Sequence, residues 1–357
     1  MNGAAGVATS LPIIGITQGD PAGIGPEIIV KALSREQVYR ECRPLLIGDT
    51  AVIGRAIKLT AIGLQFNWIG DIRDARWQPR TIDIYGMVPG KLRPPAFGEL
   101  SAAAGNAAYE SIRIATELAL AGKIDAMATA PVNKEALHLA GHKFPGHTEI
   151  LAYLTKTPSV TMMLAHGTFR VAHVSTHVSM RQACELVTKD RVLAVIRLAH
   201  GACRELGIAN PRIGVLGLNP HAGESGMFGS EEQGEIQPAI TAAKAERIDA
   251  SGPYPPDTFY PQALAGAFDV CVAMYHDQGH IPVKLAGFRY DGTTKRWTSV
   301  SGINVTLGLP IIRTSVDHGT AFDQAGRGTA SEESMIEAID YAAKMAANRL
   351  KNAAGSR

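Results

Sequence analysis

Tyr275-His276-Asp277-Gln278-Gly279-His280-Ile281-Pro282-Val283-Lys284 sets imidazole, carboxylate, amide and ammonium groups side by side, directly after the apolar run Phe268 to Met274. That run reads as a buried strand, and open α/β sheets bind ligands beyond the carboxyl ends of their strands. Two more histidines occupy the same kind of position: His177 follows Val171 to Val174, and His221 follows Ile213 to Leu218. Imidazole is the commonest side-chain ligand of transition metals, and three of them with an open position make a catalytic-type centre. The competing reading is three separate hydrogen-bonded loop residues. His280 lies four residues after His276, but Pro282 argues against a helix running through this segment, so the pair is not read as a helical two-histidine ligand motif. Asp277 and Asp257 are candidates for a general base or for orienting a ligand, and nothing ranks one above the other.

A phosphate or carboxylate has a second set of candidates. Lys284 follows the His276 segment, Arg313 ends the strand-like run Leu309 to Ile312, and Asn304 lies between them. Lysine supplies a point charge and arginine a bidentate fork for such anions. His147-Thr148-Glu149 precedes the apolar stretch Ile150 to Leu154; Thr148 reads as a helix N-cap, and a helix opened there could hold an anion. The turn Gly19-Asp20-Pro21-Ala22-Gly23-Ile24-Gly25 invites a nucleotide-loop reading and fails it. After Gly23-Ile24-Gly25 the third glycine position is Ile28, so there is no GxGxxG, and the P-loop spacing is also missing. Asp317-His318-Gly319-Thr320-Ala321-Phe322-Asp323 contains a glycine that lets a ligand approach the backbone, although a plain capped loop would look the same.

The elements that must position these groups alternate between strand-like and helical runs. Leu11 to Thr17, Leu45 to Gly48, Ile124 to Thr129, Ile213 to Leu218 and Phe268 to Met274 read as strands. Val160 to Leu164 and Phe169 to Val174 flank His166-Gly167 as a hairpin. Helices open at Pro26-Glu27, after Ser101 and at Asp190; a further one spans Glu232 to Ile248 with a kink at Pro238, and the last runs from about Glu332 to Leu350. Asn67 to Trp77 reads as irregular, and Gly252 to Asp257 as a proline-rich turn. This alternation predicts an α/β fold with a mainly parallel sheet.

The 357 residues allow two domains, and 46% apolar with 19% charged residues suffices for a full core. A net charge of +2 with dispersed Lys and Arg argues against a nucleic-acid surface. No apolar run reaches membrane-spanning length, and Met1 to Ser10 lacks the basic region of a signal peptide and reads as a frayed terminus. Cys42, Cys184, Cys203 and Cys271 show no CxxC spacing and read as free thiols of a cytoplasmic protein.

Taken together, the motifs resemble the 4-hydroxythreonine-4-phosphate dehydrogenase family of vitamin B6 biosynthesis. The marks are Gly19-Asp20-Pro21-Ala22-Gly23-Ile24-Gly25-Pro26-Glu27, Pro145-Gly146-His147-Thr148-Glu149, Leu218-Asn219-Pro220-His221-Ala222-Gly223-Glu224, Tyr275-His276-Asp277-Gln278-Gly279 and Ile312 to Ala321, in order over nearly the whole chain. The resemblance implies a fold like that of isocitrate and isopropylmalate dehydrogenases, with two α/β/α domains and a cleft between them. The expected division is 11–128 with 305–350 on the cofactor side, and 129–304 as the metal, substrate and dimerisation domain. The resemblance further implies one divalent ion per subunit (Zn, Mg, Co or Mn) on His177, His221 and His276. Substrate contacts would be His147, Thr148, Lys284, Asn304 and Arg313. NAD or NADP would lie on His318, Gly319, Thr320, Ala321 and Asp323. A homodimer with the site at its interface is also implied.

The reaction so implied is oxidation of the 3-hydroxyl of 4-phosphohydroxy-L-threonine to a β-keto acid that decarboxylates, with Lys284 assisting proton transfer. Two departures point toward the paralogous branch acting on D-threonate or D-erythronate 4-phosphate. The stretch Leu285 to Ile303, with Phe288 to Trp297 as a hairpin or flap, is longer than in short family members, and His280 replaces an apolar residue common in the biosynthetic enzymes. The rival classes are a metal-dependent hydrolase of phosphorylated small molecules and a non-catalytic binding protein on the same scaffold.

Overall fold

The computed structural model describes residues 11–87, 92–293 and 295–355. Met1 to Ser10 and Thr294 lie outside them, as does the side chain of Trp297. The strands are β1 (Ile13–Thr17), β2 (Arg43–Gly48), β3 (Gln65–Ile69), β4 (Thr81–Gly86), β5 (Ala126–Thr129), β6 (Thr161–His166), β7 (Phe169–His173), β8 (Ile213–Leu216), β9 (Ala250–Tyr254), β10 (Val270–Ala273), β11 (Phe288–Asp291), β12 (Arg296–Val300), β13 (Ile303–Leu307) and β14 (Arg313–Val316). The helices are α1 (Gly25–Leu33), α2 (Glu36–Glu41), α3 (Thr50–Thr60), α4 (Ala102–Leu120), α5 (Lys134–Leu139), α6 (His147–Thr155), α7 (Met180–Glu185), α8 (Lys189–Glu205), α9 (Gln237–Ala245), α10 (Pro256–Leu264), α11 (His276–Gly287) and α12 (Glu333–Gly355).

Twelve strands form one sheet in the order β3-β4-β2-β1-β5-β14-β13-β6-β7-β10-β8-β9, and β11 pairs with β12 as a separate hairpin. Apolar runs such as Ile14, Ile16, Leu45, Leu46 and Ile47 are fully buried because helices cover both faces of a parallel sheet. β1, β2, β4, β5 and β14 run parallel, as do β7, β10, β8 and β9. Between these blocks β14–β13, β13–β6 and β6–β7 pair antiparallel, so the two blocks run in opposite directions. The strands β7, β10 and β8 are neighbours, which brings the segments leading to His177, His276 and His221 to one end of the sheet.

Helix starts follow local chemistry. Ser101 caps α4 by accepting from the Ala104 amide at 3.1 Å, and Thr188 caps α8 through the Arg191 amide at 3.3 Å. A π-turn at Glu232–Ile236 runs into α9, where Pro238 sits in the first turn, matching the expected kink. No helix among the described residues is long and apolar enough to cross a membrane.

Several local expectations are corrected. Asn67 falls in strand β3 rather than in irregular chain, and the supposed proline-rich turn is the end of β9 followed by α10. Arg313 opens β14 instead of ending a strand. Helix α6 starts at His147 with Gly146 at the cap position, so Thr148 lies in the first turn and is not the N-cap. The largest difference is α11, which runs through Pro282. Proline there removes the donor that would have bonded the Gln278 carbonyl one turn earlier. That carbonyl accepts instead from the Tyr260 hydroxyl at 2.5 Å, so the helix continues without an orphaned acceptor. His276 and His280 are therefore one turn apart on the same helix, their rings stacked 3.6 Å apart at 10°.

Candidate functional site

A cavity of about 560 Å³ opens where β7, α6, α11 and the β13–β14 pair meet. The start of α6 contributes His147, Thr148 and Glu149, and α5 contributes Lys134. The end of β7 and the link beyond it give His173 and His177, and α8 gives Arg191. From α11 come His276, His280 and Lys284, and from β13, β14 and the following loop Asn304, Arg313, Asp317, His318 and Gly319.

One part of this cavity is built for an anion. Arg313 is 3% exposed, and its Nε and Nη2 donate to Thr129 Oγ1 at 3.1 and 2.7 Å while Nη1 donates to Thr306 Oγ1 at 3.0 Å. Among the described residues its hydrogen-bond partners are thus hydroxyls, with no carboxylate. Burial pushes the guanidinium pKa down to about 9, against the opposing charge of Glu149. Burial, with the Arg313 charge adding to it, holds His147 well below the ordinary histidine range; the Ala130 carbonyl opposes the shift. His147 Nε2 and Asn304 Oδ1 are buried without a partner in the protein among the described residues. Orphaned polar atoms are rare in folded interiors and call for a ligand when they border a cavity; Asn304 Oδ1, an acceptor, calls for a donor group on that ligand rather than for its anion. Lys134, Arg191, Lys284 and Arg313 face only Glu149 and Asp317 as charged partners around the wall. Lys284 Nζ lies 3.2 Å from Asp317 Oδ2 and 4.8 Å over the Phe288 ring at the start of the hairpin. The Asp317–Lys284 contact is an ion pair. Burial raises the Asp317 carboxyl, and Lys284 opposes that.

The other part is rich in imidazole. His177 and His276 have ring centroids 5.7 Å apart, and His173 and His280 4.7 Å apart. His276 Nδ1 is 2.7 Å from Asp277 Oδ1, which leaves Nε2 outward, the arrangement in which a carboxylate orients a metal-binding imidazole. Burial lowers the pKa of His177, with His276 and Lys134 adding to it. Burial also brings His173 to about 4 and His280 to about 3, so both rings are neutral.

His221 stands apart. It sits on the turn Pro220–Gly226, where His221, Ala222, Glu224 and Ser225 all hold left-handed backbone angles. Buried Glu232 holds this turn from behind, accepting from the Leu218 and Asn219 amides at 2.7 Å each and from Asn219 Nδ2 at 2.9 Å. Strain of this kind gathers at functional sites. His221 is exposed, pairs through Nδ1 with Glu224 Oε2 at 2.9 Å, and does not line the cavity. Among the described residues no three His, Cys, Asp or Glu side chains gather to hold a metal ion within one chain. The donor set thus fits a metal in part: His177 and His276 line one cavity, and His221 lies exposed outside it.

Asp277 orients His276 from outside the cavity, and Asp257 is exposed in the first turn of α10, away from the cavity lining. His318 and Gly319 border the cavity, whereas Thr320, Ala321 and Asp323 continue beyond it. A side chain added at Gly319 would meet open space. The Gly19 to Gly25 turn backs this loop: the Ile24 amide donates to the Thr320 carbonyl at 3.0 Å, and a Cβ on Gly23 would lie 2.9 Å from Thr320. Within the turn, burial raises the Asp20 carboxyl to about 6, against the amides of Ala22 and Asn133.

Lys134, Glu149, His173, Arg191, His280 and Asp317 line the cavity but carried no assigned role in the sequence reading. The signals available were the polar Arg170 and His173 inside β7 and the places of Glu149, His280 and Asp317 in the quoted motifs.

A family model described as pyridoxal phosphate biosynthetic protein PdxA matches residues 40–342. A D-threonate 4-phosphate dehydrogenase from Cupriavidus necator is 50% identical over 95% of this chain and 98% of its own. A 4-hydroxythreonine-4-phosphate dehydrogenase from Trichlorobacter lovleyi is 46% identical over 96% and 99%. The crystal structure of a 4-hydroxythreonine-4-phosphate dehydrogenase from Burkholderia phymatum matches with a TM-score of 0.80 and 47% identity, over 94% of this chain and 99% of that one.

Proposed function

The chain belongs to the PdxA family of dehydrogenases, and from that premise we propose that it oxidises the 3-hydroxyl of a 4-phosphorylated four-carbon hydroxy acid of the D-threonate 4-phosphate kind, with NAD or NADP as acceptor. The observation that carries this reading is the buried Arg313, bonded only to hydroxyls, in a wall whose orphaned atoms on His147 and Asn304 border the paired His177 and His276. The 50% identity to the Cupriavidus necator enzyme supports the hydroxy acid. 4-Hydroxythreonine 4-phosphate is the second reading, supported by the Trichlorobacter lovleyi enzyme.

In this reading Arg313 and Lys284 neutralise the phosphate, and the amide of Asn304 and the start of α6 at His147 and Thr148 complete its hydrogen bonds. His177 and His276 would hold a divalent ion (Zn, Mg, Co or Mn), with His221 supplied by a second copy of the chain in a homodimer. When bound, the ion supplies Lewis acidity toward the alcohol and the developing carbonyl. Asp277 fixes the ring of His276. The Lys284–Asp317 pair is placed to take the hydroxyl proton, and His318 to Asp323 would hold the nicotinamide cofactor, which would supply the hydride acceptor. The product ketone lies β to the carboxylate, so carbon dioxide is lost, and Lys284 Nζ returns a proton to the carbon left behind. Residues 11–128 with 305–350 form the cofactor side and 129–304 the metal and dimer side. Four unpaired cysteines support a cytoplasmic setting.

The test measures nicotinamide reduction with the two phosphorylated acids and both cofactors, before and after chelation. Reduction lost on chelation and restored by a divalent ion supports the reading. Phosphate release without nicotinamide reduction would overturn it in favour of a hydrolase.

A further inference from the structure

Helix α11 presents His276, His280 and Lys284 to the cavity at successive turns. At 1.5 Å per residue the outer two lie about 12 Å apart along the axis, room for a short extended substrate between them. The proposed function uses His276 for the ion and Lys284 for the anion. It leaves His280, and His173 behind it, without a role.

Both rings are buried, His280 to 7% exposure and His173 to 1%. His280 Nδ1 lies 3.0 Å from the His276 carbonyl, and His173 Nδ1 lies 3.2 Å from the Met162 carbonyl. A carbonyl only accepts, so Nδ1 carries the proton in each ring, and in the neutral ring Nε2 carries the lone pair. His173 Nε2 is buried without a partner. The His280 ring is fixed between two others, stacked on His276 at 3.6 Å and tilted against His173 at 4.7 Å. Gly279 makes room for this packing, since a Cβ there would lie 2.3 Å from His173 Nε2.

A fixed acceptor in a wall rich in cations favours a neutral donor. A hydroxyl donates one hydrogen bond and adds no charge. An ammonium would add a positive charge beside Lys284, whose carboxylate Asp317 is already engaged at 3.2 Å. The other carboxylate of the wall, Glu149, acts on Arg313 and His177. We propose that His280, with His173 as its positioning residue, accepts a hydrogen bond from the substrate hydroxyl next to the carbon being oxidised, and so selects hydroxy acids over amino acids. This inference rests on the dehydrogenase reading above.

The experiment compares kcat/KM for D-threonate 4-phosphate and 4-hydroxythreonine 4-phosphate in the metal-loaded enzyme, its His280→Leu and His280→Met variants, and His280→Gln, whose amide oxygen still accepts. In the Leu and Met variants the preference for the hydroxy acid should fall about tenfold or more with metal content unchanged, while Gln keeps most of it. Met serves if Leu does not fold. An unchanged ratio in a folded, metal-loaded Leu or Met variant would overturn the proposal while leaving the dehydrogenase reading intact. A wild-type enzyme that reduces nicotinamide with neither acid would overturn both.

Discussion

Replacing Arg313 with methionine should make the ligand-free protein more stable and the enzyme nearly inactive. The guanidinium is 3% exposed and bonds only Thr129 and Thr306. Burial, which lowers its pKa to about 9, is the source of what the charge costs the fold. Set against an ordinary arginine, that drop corresponds to on the order of 5 kcal/mol. Methionine removes this cost, fills similar space and forfeits three hydrogen bonds of about 1 kcal/mol each. A net gain of about 2 kcal/mol is expected. The sign has a pH signature. The unfolded chain keeps its proton above the folded pKa, so the penalty is complete below about pH 9 and is relieved as pH rises beyond it. The advantage of Arg313→Met should therefore shrink above that pH. In the substrate complex the sign reverses, because losing one partner of a desolvated charge pair costs about 3 kcal/mol, roughly a hundredfold in kcat/KM. Denaturant unfolding of the ligand-free protein, followed by steady-state kinetics, measures both. A variant destabilised by more than about 1 kcal/mol without ligand, or one that keeps its kcat/KM, would refute the reasoning that this charge is held for an anion.

Three further outcomes follow from the same geometry. Tyr260→Phe should cost about 1–3 kcal/mol by orphaning the Gln278 carbonyl, and the cost should fall in a Pro282→Ala background, where a helical donor returns; a double-mutant cycle by denaturant melts reads the coupling. Gly279→Ala should destabilise by about 2 kcal/mol through contacts with His173 Nε2 and Val171 Cγ1, and His173→Ala should recover only part of that loss in a thermal melt, because the Val171 contact at 2.8 Å remains. Gly319→Val should leave melting temperature and metal content unchanged, because the space beside it is open, yet raise the cofactor KM; an unchanged KM would remove the His318 to Asp323 loop from the cofactor site.

The fold class was readable because the strands are apolar runs bounded by turn residues, as in Ile13–Thr17 and Val270–Ala273. What sequence could not show depended on tertiary partners. Pro282 breaks a helix only if the freed carbonyl stays unmet, and Tyr260, in the preceding helix α10, meets it. Gln65–Ile69 mixes polar and apolar residues because β3 is an edge strand and only Ile69 is buried. The anion wall was half legible: Lys284, Asn304 and Arg313 stand in motifs, whereas Lys134 and Arg191 lie in ordinary helical patterns and reach the cavity only through packing. Three histidines after adjacent strands were visible, but their strand-end positions do not reveal that the left-handed turn Pro220–Gly226 keeps His221 outside the cavity of its own chain.

The most direct test of the central claim incubates the metal-loaded protein with D-threonate 4-phosphate and a nicotinamide cofactor and counts reduced nicotinamide and carbon dioxide together. The account predicts equal amounts of the two, neither formed by the chelated protein. Phosphate release without reduced nicotinamide, or reduction that persists after chelation, would contradict it.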